Sequence, residues 1–214
     1  MGDSLVSPNE TDKGADRASK IDATRAAPQY AYDGWLDRHF RGLRRRLTVL
    51  ELGCGNGADT AYLALHGHSV TSCDNDADKL ERIKKTYPGV TTSRFDMRGG
   101  FPFASDRADI VIASLCLHFF DEAETQGILT EIRRVLKKGG AFLCRLMSEK
   151  AYIPGVPGET ELAPGLYMTR DGVKQFYNKE RVRTVFSGWS IKGITEYDIE
   201  RPTRPIAVLE VVMC

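Results

Sequence analysis

Apolar residues in this chain gather into short runs separated by amphipathic stretches, and the pattern starts only after a long polar lead. Residues 1–28, MGDSLVSPNETDKGADRASKIDATRAAP, are mixed in charge and nearly devoid of large apolar side chains. Such a stretch buries too little surface to offset the entropy of ordering it, so a mobile N-terminal tail is expected. The following QYAYDGWLDRHFRGLRRRL sets Tyr32, Trp35, Leu36, Phe40 and Leu43 near helical spacing. That spacing predicts a short amphipathic helix covering the body of the protein ahead of its first strand.

From Leu47 onward the period of the pattern alternates. Strands are expected over 47–52, 69–73, 91–95, 108–114 and 140–146, with helices over 57–66, 76–86 and 122–137. Strands alternating with helices pair in parallel, which makes the fold α/β. In the third helix Ile128, Leu129, Ile132, Val135 and Leu136 share a stripe, Lys137 and Lys138 occupy the expected last turn, and Gly139 is the expected stop. Residues 147–172, MSEKAYIPGVPGETELAPGLYMTRDG, carry three prolines and are too long for a plain connection, so they read as a lid or a disordered loop. A helix near 173–184 and strands near 189–197 and 206–213 complete a single domain spanning 29–214.

Composition narrows the partners more than the fold. The 214 residues hold 30 Lys and Arg against 29 Asp and Glu, a formal charge of +1, so no global field draws the chain to nucleic acid or to a membrane. Five cysteines without C-x-x-C spacing fit a reducing interior and neither a disulfide framework nor a metal site. No apolar run is long enough to span a bilayer, and a cytoplasmic protein is expected, as a monomer or a homodimer.

The densest chemistry is VLELGCGNGADT, residues 49–60, where a strand runs into a glycine turn. Gly53 and Gly55 with Ala58 satisfy the dinucleotide fingerprint, and Asp74 lies about 20 residues on, where a ribose-binding acid belongs. Glu51 and Gly57 alter that reading, because an acid at the deep end of the pocket repels a pyrophosphate and suits a cationic amine. Polar residues gather after four successive strands: Glu51, Cys54 and the glycines; Asp74 and Asn75; Asp96 and Met97; Ser114 and Leu115, followed by His118. Strand ends are where open α/β sheets bind ligands. Asp74 can accept ribose hydroxyls, and Asp96 can accept an adenine amino proton while Met97 packs on the ring.

These blocks, ELGCGNG, CDND, RFDM, ADIVIASLCLHFF and EIRRVLKKGGAFLCRL, resemble in order the class I S-adenosylmethionine-dependent methyltransferases, in the small single-domain branch that includes tellurite-resistance-like and small-molecule enzymes. The resemblance implies a Rossmann-like seven-stranded sheet of order 3-2-1-4-5-7-6 with strand 7 antiparallel and helices on both faces. It implies S-adenosyl-L-methionine as cofactor and S-adenosyl-L-homocysteine as product, with the methionine part at Glu51, Gly53 and Ser114, ribose at Asp74 and adenine at Asp96 and Met97. An enzyme that methylates O, N, S or C of a small molecule is expected, with Tyr32, Trp35, Arg145 and Tyr167 toward the acceptor. Arg145 is a substrate anchor or an ion-pair partner of the lid, and His118 a general base or a buried side chain. An RNA or protein methyltransferase and a non-catalytic cofactor-binding module stand as alternatives.

Overall fold

The computed structural model describes residues 32–43, 45–156 and 158–214; the expected tail, 1–28, lies outside the described residues. Its centre is a seven-stranded sheet of order β3-β2-β1-β4-β5-β10-β9. The strands are β1 (Thr48–Leu52), β2 (Ser69–Asp74), β3 (Thr91–Arg94), β4 (Ala108–Ser114), β5 (Leu136–Met147), β9 (Ile191–Ile199) and β10 (Ile206–Met213). Strands β1 to β5 are parallel, and β10 runs antiparallel to both β5 and β9. With the three short strands of the insertion set aside, this is the order 3-2-1-4-5-7-6.

The period of two along each strand divides the apolar residues between two cores. Leu50, Leu52, Val111, Ala113, Phe142 and Cys144 face one side, where they meet α4 (Glu122–Val135) and α5 (Lys179–Val185). Val49, Val70, Ile110, Ile112 and Leu143 face the other. There they pack on Trp35, Leu36, Tyr62, Leu63, Leu80 and Ile83 from the N-terminal segment, α2 (Ala58–Leu65) and α3 (Ala77–Thr86). The parallel strands are covered on both faces, which is why β1 and β4 read as nearly continuous apolar runs.

Two element boundaries differ from the sequence reading. Helix α4 stops at Val135, and Leu136 is already extended, so Lys137 and Lys138 lie in β5 rather than in a last helical turn. The carbonyls of Arg134 and Val135 accept from the amides of Asp106 and Arg107, which lets the helix pass directly into the strand without a glycine stop. The expected helix near 173–184 is split: Gly172–Gln175 is strand β8, and only Lys179–Val185 is helical. Strand β8 pairs with β7 (Leu166–Thr169), which pairs with β6 (Thr160–Ala163), so the expected loop holds a small antiparallel sheet. The cover helix is a single turn, α1 (Asp37–Phe40).

Helix α4 starts at a capping box. Asp121 accepts from the Glu124 amide at 2.8 Å, and the Glu124 carboxylate accepts from the Asp121 amide at 3.1 Å. Replacing Asp121 with Ala is expected to cost about 1 kcal/mol of stability, read as a lower urea midpoint with an unchanged slope. An unchanged midpoint would mean that packing alone sets where this helix begins.

Candidate active site

The C-terminal edge of the parallel strands encloses a cavity of 240 Å³. Its floor is the glycine turn between β1 and α2. Gly53, Gly55 and Gly57 all have positive φ, at 64°, 53° and 82°. At Gly53 the need is also steric, since a Cβ there would lie 2.5 Å from Cys116 Cβ. Asp74 braces the turn from the end of β2: one carboxylate oxygen accepts from the Gly55 amide at 2.9 Å, the other from the Asp76 amide at 3.0 Å.

Glu51 lines the cavity on the same sheet face as Ser72, Ser114 and Arg145. It is buried, and one carboxyl oxygen accepts from the Thr60 hydroxyl at 2.5 Å and the Ser72 hydroxyl at 2.8 Å. Burial, reinforced by the nearby Asp59 carboxylate, pushes its pKa up to about 8. Asp59, in the first turn of α2, is also buried and raised, and accepts from the Trp35 indole at 2.9 Å. Arg145, at the end of β5, donates to Ser114 Oγ at 2.9 Å and to Asp33 at 2.5 Å, with its guanidinium 4.5 Å from the Trp35 ring centre. Three carboxyl groups, from Asp33, Glu51 and Asp59, therefore share the lining with two guanidinium groups, from Arg145 and Arg201.

The structure gathers some of the sequence-predicted residues at this cavity and separates others. Tyr32, Glu51, Gly53, Cys54, Gly55, Ser114, Leu115 and Arg145 line it. Trp35 and Gly57 stand behind the lining as supports: the indole holds Asp59, and Gly57 packs on Ile83 before α2. Asp74 and Asn75 lie beside the turn, where the Asn75 carbonyl accepts from Arg94.

Asp96, expected at adenine, caps a short 3-10 turn and holds Arg98 through both carboxylate oxygens. Met97 packs on the core behind it. Tyr167, expected toward the acceptor, stacks on Tyr152 at 4.0 Å in the insertion, against Phe176. His118 lies outside the cavity lining; it is 3 % exposed with no partner for Nδ1, and burial, with a smaller push from Lys174, lowers its pKa to about 3. An imidazole that holds a proton so weakly is a poor general base near neutrality.

Four polar lining residues escaped the sequence reading: Asp33, Asn56, Asp59 and Arg201. Asp59 carried a signal, an acid in the first helical turn after the glycines, but a helix-start acid there is equally a favourable dipole partner. Asp33 and Arg201 reach the cavity from irregular segments, where no periodicity points.

A comparison with protein families matches residues 49–140 to a family described as methyltransferase domain. An uncharacterized methyltransferase of Synechocystis is 37% identical over 94 residues, covering 44% of each chain. The chain spans about half the length of the curated relatives it matches. Among solved structures, an S-adenosylmethionine-dependent methyltransferase of Methanosarcina mazei superposes with a TM-score of 0.69 at 18% identity, covering 80% of this chain and 93% of that one. The 1,6-didemethyltoxoflavin-N1-methyltransferase of Burkholderia thailandensis, with bound S-adenosylhomocysteine, superposes with a TM-score of 0.64 at 18% identity, over 83% and 73%.

Glu51 is a stability liability wherever no cation faces it. Its folded pKa lies above the usual carboxyl value of 4.5, so the native state keeps a proton that the unfolded chain loses from about pH 4.5 upward. Native stability therefore falls between about pH 4.5 and 8 on account of this group. Glu51→Gln is expected to raise the ligand-free Tm at pH 8, by about 2–4 °C per kcal/mol recovered, and to change it little at pH 4.5. Equal shifts at both pH values in a thermal melt would show that Glu51 is not held protonated.

Proposed function

We propose that this chain, whose residues 49–140 match a methyltransferase domain, is a class I S-adenosylmethionine-dependent enzyme that transfers a methyl group from that cofactor to a small molecule. One observation carries the reading: a buried acid with a raised pKa, Glu51, closes the deep end of a cavity floored by three glycines of positive φ. A cationic amino group relieves the cost of ionising Glu51 there, whereas a pyrophosphate adds to it. The turn also fits the cofactor sterically, since a Cβ built on Gly55 meets only a carbonyl at 4.0 Å and the space above it is open.

Bound S-adenosylmethionine supplies an already activated methyl group, so the chain's task is to hold, align and dry the reactants. Glu51 and Asp59 face the amino end. Asp74 spends one lone pair of each oxygen on a backbone amide and keeps another for a ribose hydroxyl. Tyr32, Asp33 and Arg201 come from the N-terminal segment and the β9–β10 loop and close the cavity from above. Alignment of this kind can supply roughly 7–11 kcal/mol of barrier lowering, more than a single base gives. His118 is given no proton-transfer role, in keeping with its burial.

A small acceptor is supported by the balanced charge, +1 overall, and by the modest volume of the cavity, 240 Å³. The Burkholderia relative in fold acts on 1,6-didemethyltoxoflavin, itself a small molecule. An RNA acceptor would show binding that weakens steeply with salt.

Calorimetry tests the reading. At pH 7 a ligand ammonium expels the proton held by Glu51, so S-adenosylhomocysteine is expected to bind with release of close to one proton. Its affinity should rise by up to about tenfold per pH unit toward pH 8. NAD should give no heat. Measured in buffers of different ionisation enthalpy, binding without proton release would remove Glu51 from the amine site, and binding of NAD alone would overturn the cofactor.

A further inference from the structure

Arg145 is the one fully desolvated cation of the cavity, and its ion-pair partner is an unusual choice. The guanidinium is 5% exposed and fixed from three sides, by Ser114 Oγ on Nε, by the Trp35 ring face and by the field of Asp59. The Asp33 carboxylate that completes it is 27% exposed and hangs from the irregular segment before the one-turn helix α1. That segment is tied down mainly by other groups: Tyr32 Oη accepts from the Leu36 amide at 2.7 Å, the Trp35 indole is bound to Asp59, and Tyr32 stacks on Tyr62, while Asp33 adds one long contact, accepting from the Trp35 amide at 3.4 Å. Beyond the ion pair, Asp33 therefore gives up only that long contact on leaving, while Arg145 stays fixed by Ser114 and Trp35.

A buried guanidinium left unpaired is strongly destabilising, so some carboxylate has to stand beside it at all times. The position is also adjacent to the amino end of the cavity. Arg145 interacts with Asp59, and Asp59 with Glu51, so a cation site and an anion site lie side by side. An α-amino acid has that same arrangement, an ammonium and a carboxylate on one carbon.

We propose that Arg145 anchors the α-carboxylate of the cofactor and that Asp33 is its internal stand-in, so that cofactor binding exchanges one carboxylate for another. The inference rests on the reading of the cavity as an S-adenosylmethionine site, and it moves Arg145 from the acceptor to the cofactor. The exchange conserves charge at Arg145, so the ligand carboxylate enters a place whose desolvation is already met. Asp33, released, turns toward solvent at the cavity mouth.

Two probes separate the carboxylate from the rest of the ligand: S-adenosylhomocysteine, and 5′-methylthioadenosine, which keeps the adenosine and the sulfur but lacks the amino acid group. In calorimetry on the full chain, Asp33→Asn removes the competing charge while preserving shape. It should tighten S-adenosylhomocysteine by about 3- to 10-fold and leave methylthioadenosine within about twofold. Arg145→Gln should weaken S-adenosylhomocysteine by about 30-fold or more and again spare methylthioadenosine. If Arg145→Gln fails to fold, Asp33→Asn decides alone. Unchanged or weaker S-adenosylhomocysteine binding in Asp33→Asn, or an equal loss of both probes in Arg145→Gln, overturns the exchange and returns Arg145 to a structural or acceptor role. Wild-type protein that binds neither probe overturns the underlying cofactor reading instead.

Discussion

Burial of ionisable side chains on a single face of the parallel sheet is the constraint around which this structure is arranged. Strand alternation puts Ser72, Glu51, Ser114, Arg145 and Glu210 on the face that carries Val70, Val49, Ile112, Leu143 and Val212. The register sets them side by side: Glu51 opposite Ser72, Ser114 opposite Arg145, Arg145 opposite Glu210. A charge in such a place has to be met by hydrogen bonds, and each is. Thr60 and Ser72 serve Glu51, Trp35 serves Asp59, Ser114 and Asp33 serve Arg145, and His39 and Tyr197 serve Glu210. The N-terminal segment supplies Asp33, Trp35 and His39 to this web, which explains why a stretch with only one helical turn is nonetheless packed tightly against the sheet.

The parallel strands were legible because the core of the sheet is covered on both faces, whereas their order came from the family resemblance. Full burial writes apolar runs such as VLEL and IVIAS into the sequence, and the intervening helices write their stripes. The insertion had no such signal. In β6, Thr160, Glu161, Leu162 and Ala163 are all exposed, so no alternation marks them as a strand. The α4 boundary failed for a different reason. Lysines beside a glycine are good helix-end residues, but the backbone of Asp106 and Arg107 already satisfies the last carbonyls, and tertiary pairing overrode the local preference.

Site residues divide along the same line. Glu51 and the glycines could be read because a strand-to-turn junction fixes their place. The pairing of Asp96 with Arg98, two residues on, was not written in the spacing. His118 follows a strand end, as a catalytic group would, yet the backbone turns through Leu115 at positive φ and the ring ends up buried beside Phe119. Asp33, Asp59 and Arg201 are brought together only by the closure of distant segments, and no spacing along the chain encodes that meeting.

The acidic end of the cavity also sets function against stability. Burial raises the pKa of both Glu51 and Asp59, so the acidic end of the lining resists ionising, while Arg145 and Arg201 stand on the same lining. Glu51 then costs the fold little below the ordinary carboxyl pKa and progressively more up to its raised value of about 8, where the cost levels off as the folded state also ionises. A ligand that brings a positive charge to this end removes that cost, so part of its affinity is strain already present in the protein. An apolar or amide side chain at position 51 would make a more stable domain, but one in which an incoming ammonium met no charge. The same logic holds at Arg145, where the fold keeps a replaceable carboxylate in attendance rather than a permanent one. Both devices let a zwitterion enter with little net change in buried charge, and both depend on the strand alternation that put the two groups on one face.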